Sequence, residues 1–216
     1  MELWEKVDRY IGETLLQPDD ALDAALEASD KAGLPAISVS PAHGKLLWIL
    51  ARLVNAKRIL EVGTLGGYSA IWMARALPAD GRLVTLEAVD KHAKVAQGNI
   101  EKAGLKKKIE IHVGPALDTL PSLKGPFDLS FIDADKQNNA EYFSWALKLS
   151  RPGSVIVVDN VVRDGKVVDA RSRDASVQGV RRLNELIAAE KRVSATAIQT
   201  VGMKGYDGFA VALVTG

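Results

Sequence analysis

Two apolar stretches of this chain run directly into groups that could do chemistry. "FIDADK" at 131–136 delivers Asp133, Asp135 and Lys136, and "SVIVVDN" at 154–160 delivers Asp159 and Asn160. Two carboxylates and an amide oxygen form a hard-oxygen donor set of the kind Mg²⁺ or Ca²⁺ takes, with water and substrate oxygens completing the shell. The chain has no cysteine and its histidines lie elsewhere in the sequence, so zinc is a poorer match. With no cation, two carboxylates about 4 Å apart repel by roughly 4 kcal/mol at an effective dielectric of about 20. A bare pair therefore needs one acid protonated or paired, for instance with Lys136. Taken singly, each of these residues is equally well a polar strand terminus. Coincidence is harder to sustain for all three together.

A second constellation lies upstream. "EVGTLGGYS" at 61–69 follows an apolar run and opens a helical pattern, the position at which open α/β sheets bind ligands. Alone it could be a tight turn that needs glycine for its backbone. A Gly-x-Gly-x-x-Gly dinucleotide fingerprint placed from Gly63 puts Leu65 and Tyr68 where the second and third glycines belong. A leucine there obstructs a pyrophosphate, which argues against NAD. Glu87, 24 residues past Gly63, closes the next apolar run. It is either a surface acid or an acceptor for both hydroxyls of an adenosine ribose. Together the turn and the acid point to a nucleoside without phosphates, for which S-adenosylmethionine is the candidate.

These groups meet only if the intervening elements align them. Apolar, β-rich runs at 58–63, 82–87, 108–114, 127–133 and 154–160 alternate with helical patterns, such as 68–77 and Val89, Ala93, Ala96, Ile100, Ala103. That alternation predicts right-handed crossovers and a mostly parallel sheet with helices on both faces. All five strands then point one way, which brings Asp133, Asp159 and Asn160 to the edge that carries the glycine turn. Runs at 193–202 and 208–214, joined by a short glycine-containing link, predict an antiparallel hairpin at the sheet edge. The expected fold is a seven-stranded, Rossmann-like α/β sheet.

Ahead of the sheet, three helices are expected: "LWEKVDRYIGETLL", "PDDALDAALEASDKAG" ending at Gly33, and "PAHGKLLWILARLV" at 41–54. With no repeat or low-complexity linker, 1–216 is expected to be one domain, with 1–36 a helical extension. The polar stretch 163–176 predicts a long loop beside the fifth strand, a lid or substrate edge. Its Arg163, Lys166, Arg171 and Arg173 could serve an acidic substrate, but a solvated loop accounts for them better.

Composition bounds the rest. The 216 residues are 47% apolar and 25% charged, with net charge +1, an ordinary balance for a globular core. No electrostatic footprint for nucleic acid or an anionic membrane follows, and "LKKKIE" at 105–110 reads as a solvated connection. No apolar run approaches the roughly 20 residues that span a bilayer, and the acid-rich N-terminus does not resemble a signal peptide. A cytoplasmic protein is expected. His43, His92 and His112 read as structural or exposed, and Trp48, Trp72 and Trp145 as core. Trp4 belongs to a dimer interface or an N-terminal flap.

"EVGTLGGYSA", "FDLSFIDADK" and "VIVVDN", in this order, resemble the cation-dependent class I O-methyltransferases, the family of caffeoyl-CoA and catechol O-methyltransferases. The likeness is densest from "ISVSPAHGKLL" at 37–47 to "VVDNVV" at 157–162. It implies a class I methyltransferase fold, usually dimeric in the caffeoyl-CoA branch. Metal ligation is carried onto Asp133, Asp159 and Asn160, for Mg²⁺ with Mn²⁺ or Ca²⁺ as alternatives, and the base onto Lys136, beside Asp133. Cofactor contacts fall on Val39, Glu61, Gly63, Leu65, Ser69, Glu87, Ala116 and Asp133, with Asp135 near cofactor or metal. The implied reaction is methyl transfer from S-adenosylmethionine to a hydroxyl of a small vicinal-diol aromatic. The ending "TVGMKGYDGFAVALV" departs from the family's "PVGDG" pattern around Met203–Asp207, which bears on the substrate pocket or a dimer contact. Arg163 and Asp164 stand where catechol enzymes tend to be apolar. A non-catalytic nucleoside-binding regulator and an NAD-dependent oxidoreductase are the alternatives.

Overall fold

The protein is described by a computed structural model over residues 2–216. Seven strands form one sheet: β1 (Arg58–Val62), β2 (Arg82–Glu87), β3 (Ile109–Val113), β4 (Leu129–Ile132), β5 (Val155–Asp159), β6 (Val193–Gly202) and β7 (Gly205–Val214). Their order is β3-β2-β1-β4-β5-β7-β6. The first five are mutually parallel, and β7 runs antiparallel to both β5 and β6. The expected sheet is therefore present, with the order reversing between β1 and β4, where doubly wound folds open a crevice.

Side-chain alternation explains why both faces are covered. Ile59, Leu83, Phe131 and Val157 point to one face, packed under α2 (Asp20–Lys31), α3 (Pro41–Leu53), α4 (Tyr68–Ala76) and α5 (Asp90–Lys102). Leu60, Val62, Ile132, Ile156 and Val158 point to the other, under α7 (Asn139–Lys148) and α8 (Ala175–Ala189). Each such side chain contributes roughly 1.5–3 kcal/mol when fully buried. Trp48, Trp72 and Trp145 are half-buried against these cores.

Local chemistry sets the helix starts. The Asp19 carboxylate accepts the Ala21 and Leu22 N–H groups at the head of α2 and also pairs with Arg75 of α4. Ser40 Oγ accepts the His43 N–H at 3.2 Å, with Pro41 in the first turn of α3.

Three details differ from expectation. β7 begins at Gly205, and Gly202 pairs with Gly205, so the hairpin runs through the supposed insertion and turns on Met203 and Lys204 alone. The 163–176 stretch holds a 3₁₀ turn at Lys166–Val168, and its last two residues already belong to α8, capped by Asp174. Within 1–36, α2 sends Leu22 and Ala25 into the core, whereas α1 (Leu3–Leu15) buries no residue.

Candidate active site

Strand register brings the acids together. Ile132 pairs with Val158, so the residues that follow, Asp133 and Asp159, leave the sheet side by side. Asp133 also donates its N–H to the Val62 carbonyl at 2.8 Å, which seats it against Gly63. A cleft of about 1100 Å³ opens over this edge. Val39, Gly63, Leu65, Ser69, Glu87, Ala116, Asp133, Asp135, Lys136, Asp159 and Asn160 all line it.

The glycine turn is shaped by what it abuts. Gly63 has φ +98, and a Cβ there would lie 2.3 Å from the Asp133 carbonyl oxygen, so this position excludes any side chain. Leu65 takes φ +48, a left-handed conformation uncommon outside glycine. The Glu87 carboxylate holds the turn: Oε2 accepts the Thr64 and Leu65 N–H groups at 3.1 and 2.8 Å, and Oε1 accepts the Val89 N–H at 2.9 Å. Oε1 therefore keeps acceptor capacity toward the cleft, and Glu87 organises the loop as well as facing it.

Glu61 is set apart from the other expected contacts. It is fully buried behind the cleft wall, where Ser69 and Thr85 hydroxyls each donate to it at 2.6 Å. Thr85 is linked in turn to Thr64 at 2.5 Å. Burial pushes its carboxyl up to about 8, against the lowering effect of the two hydroxyls, with the charges of Asp133 and Glu87 adding to the rise. Glu61 reaches the cleft through Ser69, and through Thr85 by way of Thr64.

At the opposite end, Lys136 donates to Asp133 Oδ1 at 2.6 Å, with a lysine side chain only 9% exposed. Asp159 is pushed up to about 7, first by burial and then by the charge of Asp133, with Lys136 acting the other way. The single ammonium thus leaves the acid pair short of positive charge. Among the described residues no three His, Cys, Asp or Glu side chains converge as a metal cage. Asp133, Asp159 and Asn160 are the oxygen-bearing groups at this end that could hold a cation, and oxygen groups of this kind suit Mg²⁺ better than zinc. Asp135 is otherwise engaged: Tyr142 Oη donates to Oδ1 at 2.6 Å and Asn138 Nδ2 to Oδ2 at 2.5 Å.

Two histidines, His43 and His92, line the cleft. His43 Nδ1 lies 3.7 Å from Asp159 Oδ2, and its ring stacks on Phe209 at 5.2 Å. Burial holds its imidazole below the usual range, hence neutral. His92 Nδ1 lies 3.3 Å from Glu87 Oε1. Both sit in the first turn of a helix that begins at the carboxyl edge of the sheet, the one signal that could have found them. His112 pairs with Glu110 instead, at 2.7 Å. Of the cations in the long loop, Arg163 lines the cleft, whereas Lys166, Arg171 and Arg173 are exposed. Lys204, Gly205, Tyr206 and Asp207 reach the cleft from the hairpin.

A doubly wound sheet with its polar groups gathered at a switch-point crevice defines a ligand-binding α/β protein. Residues 16–212 match the model of the O-methyltransferase family, and the chain belongs to that family of enzymes. It is 57% identical over 217 residues to a catechol O-methyltransferase of Niastella koreensis, covering 99% of this chain and 98% of the relative. Its structure is similar to that of an O-methyltransferase from Bacillus cereus in complex with SAH, at TM-score 0.97 and 56% identity, covering 98% of both chains. It is equally similar to O-methyltransferase TomG from Streptomyces achromogenes, involved in tomaymycin synthesis and solved with SAM, at TM-score 0.97, 54% identity and full coverage of both chains.

Proposed function

We propose that the protein transfers a methyl group from S-adenosylmethionine to one hydroxyl of a small vicinal-diol aromatic of catechol or caffeoyl type, with a divalent cation, Mg²⁺ first, held by Asp133, Asp159 and Asn160. The observation that carries this is the meeting of Asp133, Lys136, Asp159 and Asn160 in the same cleft as the glycine turn and Glu87. A volume of about 1100 Å³ slightly exceeds the range of about 300–1000 Å³ usual for a single small-ligand site, which leaves room for cofactor and acceptor side by side.

S-adenosylmethionine supplies an electrophilic sulfonium methyl. Glu87 offers Oε1 to its ribose, while Val39, Leu65 and Ala116 supply apolar wall and Ser69 a hydroxyl backed by Glu61. A divalent cation held by Asp133, Asp159 and Asn160 would supply charge that favours the phenolate, since a phenol with a pKa near ~10 is hardly ionised at neutral pH. Lys136 Nζ, held at the cleft wall by Asp133, would take the hydroxyl proton as the free amine, after giving up its own ammonium proton to solvent. Positioning of this kind is worth up to ~7–11 kcal/mol and outweighs a single proton transfer. Family membership removes the ground for the oxidoreductase alternative.

A cytoplasmic homodimer of single-domain chains completes the proposal. Its dimeric part is supported by Leu3, Trp4, Val7 and Tyr10, exposed on α1, and by the exposed edge strand β6, surfaces that a second copy would cover.

The deciding experiment is methyl transfer from S-adenosylmethionine to a panel of catechols and caffeoyl esters, with Mg²⁺ and with EDTA. Turnover abolished by EDTA and restored by Mg²⁺ is expected. Turnover indifferent to EDTA overturns the cation mechanism.

A further inference from the structure

Past β5 the chain turns left-handed at four positions, of which Arg163 is the one whose residue type disfavours it. Asn160, Arg163 and Asp164 have φ values of +57, +57 and +54, and Gly165 follows at +79. Left-handed backbone costs roughly 1–2 kcal/mol at a residue such as Arg163, so the 160–165 strap is helped by contacts that hold Arg163 in place. Locally, the Asn160 N–H donates to Asp159 Oδ1 at 2.8 Å, and the Arg163 and Val162 carbonyls accept the Lys166 and Val167 N–H groups at 3.0 and 3.3 Å, which leaves the Val161, Val162 and Arg163 N–H groups to be satisfied from elsewhere.

The restraint comes from the start of β7. Val161 donates its N–H to the Gly208 carbonyl at 3.0 Å. Asp207 Oδ1 accepts the Val162 and Arg163 N–H groups at 2.9 and 3.0 Å, across 45 and 44 residues of sequence, and its own neighbour Gly208 at 2.9 Å. Asp207 Oδ2 lies 3.8 Å from an Arg163 guanidinium nitrogen. Charge-assisted bonds of this kind are about twice as strong as neutral ones. One carboxylate therefore satisfies two consecutive donors in the part of the strap where the backbone turns left-handed. Two residues further along β7, Phe209 pairs with Asp159, so the same strand also fixes the last residue of β5.

We propose that Asp207 is a positioning residue: it clamps the 160–165 strap so that the Asn160 amide is presented beside Asp159 at the cleft. This deepens the cation site proposed above and rests on it for its functional consequence, though not for the clamp itself. Asp207 also lines the cleft, but the clamp acts through the backbone of the strap and needs no contact with either reactant.

The test uses the full chain and the variants Asp207→Ala and Asp207→Asn, with three readouts: amide hydrogen exchange, Mn²⁺ binding by calorimetry, and S-adenosylmethionine binding by calorimetry. Asp207→Ala is expected to speed exchange at Val162 and Arg163 at least tenfold, and to weaken Mn²⁺ about ten- to a hundredfold. S-adenosylmethionine affinity is expected to stay within twofold. Asp207→Asn retains an acceptor oxygen and should recover most of both losses. Unchanged exchange at 160–165 in Asp207→Ala overturns the clamp. Exchange that rises equally throughout β1 and β4 also overturns it, since Asp207 would then be a general stabiliser. If the unaltered protein takes up no Mn²⁺, the cation site itself fails, and exchange at Val162 and Arg163 still decides the clamp.

Discussion

Lys136 Nζ lies 2.6 Å from Asp133 Oδ1, three residues back along the chain, in a pair that is mostly withdrawn from solvent. A short buried pair at a strand end both neutralises one carboxylate and fixes an amine at the cleft wall. The neighbouring carboxyl, Asp159, is pushed up to about 7, first by its burial and then by the charge of Asp133, with Lys136 acting against the rise. The same contact is thus structural and, in the proposed reaction, catalytic.

Replacing Lys136 separates these two roles. Lys136→Gln is expected to lower kcat by about 10²–10⁴, the usual worth of a general base, with S-adenosylmethionine affinity within about threefold. Steady-state kinetics over pH 6–9, together with calorimetry of the cofactor, checks this. A kcat near that of the unaltered protein would return Lys136 to a purely structural pair.

Glu87 serves the turn before it serves a ligand. Glu87→Ala leaves the Thr64, Leu65 and Val89 N–H groups without their acceptor. A loss of about 1–3 kcal/mol in S-adenosylmethionine binding, or roughly five- to 150-fold in Kd, is expected with a lowered Tm. Isothermal calorimetry and a thermal melt on the same sample measure both.

Gly63 has no room for a methyl group. Gly63→Ala would drive Cβ against the Asp133 carbonyl at a backbone angle that alanine resists. A stability loss of at least about 2 kcal/mol is expected in urea unfolding, with loss of turnover at permissive temperature because β1 and β4 are forced apart.

Glu61 should give the fold a pH dependence of definite sign. Its folded pKa of about 8 lies above the ordinary 4.5, so the folded state holds a proton that the unfolded state releases between those values. Its contribution is fully present below about pH 4.5 and is lost as pH rises through 8, at a slope of up to about 1.4 kcal/mol per pH unit. Glu61→Gln removes that slope while keeping a neutral acceptor for the two hydroxyls. Unfolding midpoints at pH 5.5, 7 and 8.5 should show the variant gaining on the unaltered protein as pH rises. A constant difference would mean that Glu61 stays ionised.

Much of the architecture was legible because periodicity is local. The five parallel strands, their helical crossovers and the closing hairpin follow from apolar alternation and turn residues, each a property of a few neighbouring positions. Strand boundaries at 58, 82, 193 and 214 needed nothing from the rest of the chain. The hairpin turn was drawn too long because Tyr206 and Asp207 look like loop residues, and only pairing with β6 shows that they are strand. The acids at 133 and 159 were legible as neighbours because parallel strands in register end together.

What the sequence alone determined is which chemical groups reach the carboxyl edge of the sheet, since strand direction and the order of polar termini are written in adjacent residues. Tertiary structure decided what surrounds them. His43 comes to Asp159 across 116 positions because α3 packs over the β1 face, and no local pattern encodes that approach. Asp207 comes to Val162 because β7 inserts between β5 and β6. Glu61 withdraws behind Ser69 because its position in β1 turns it into the protein and away from the cleft. Contacts between distant segments, and the burial that shifts their protonation, arise only when packing closes, because solvation and electrostatic neighbours are properties of the folded assembly.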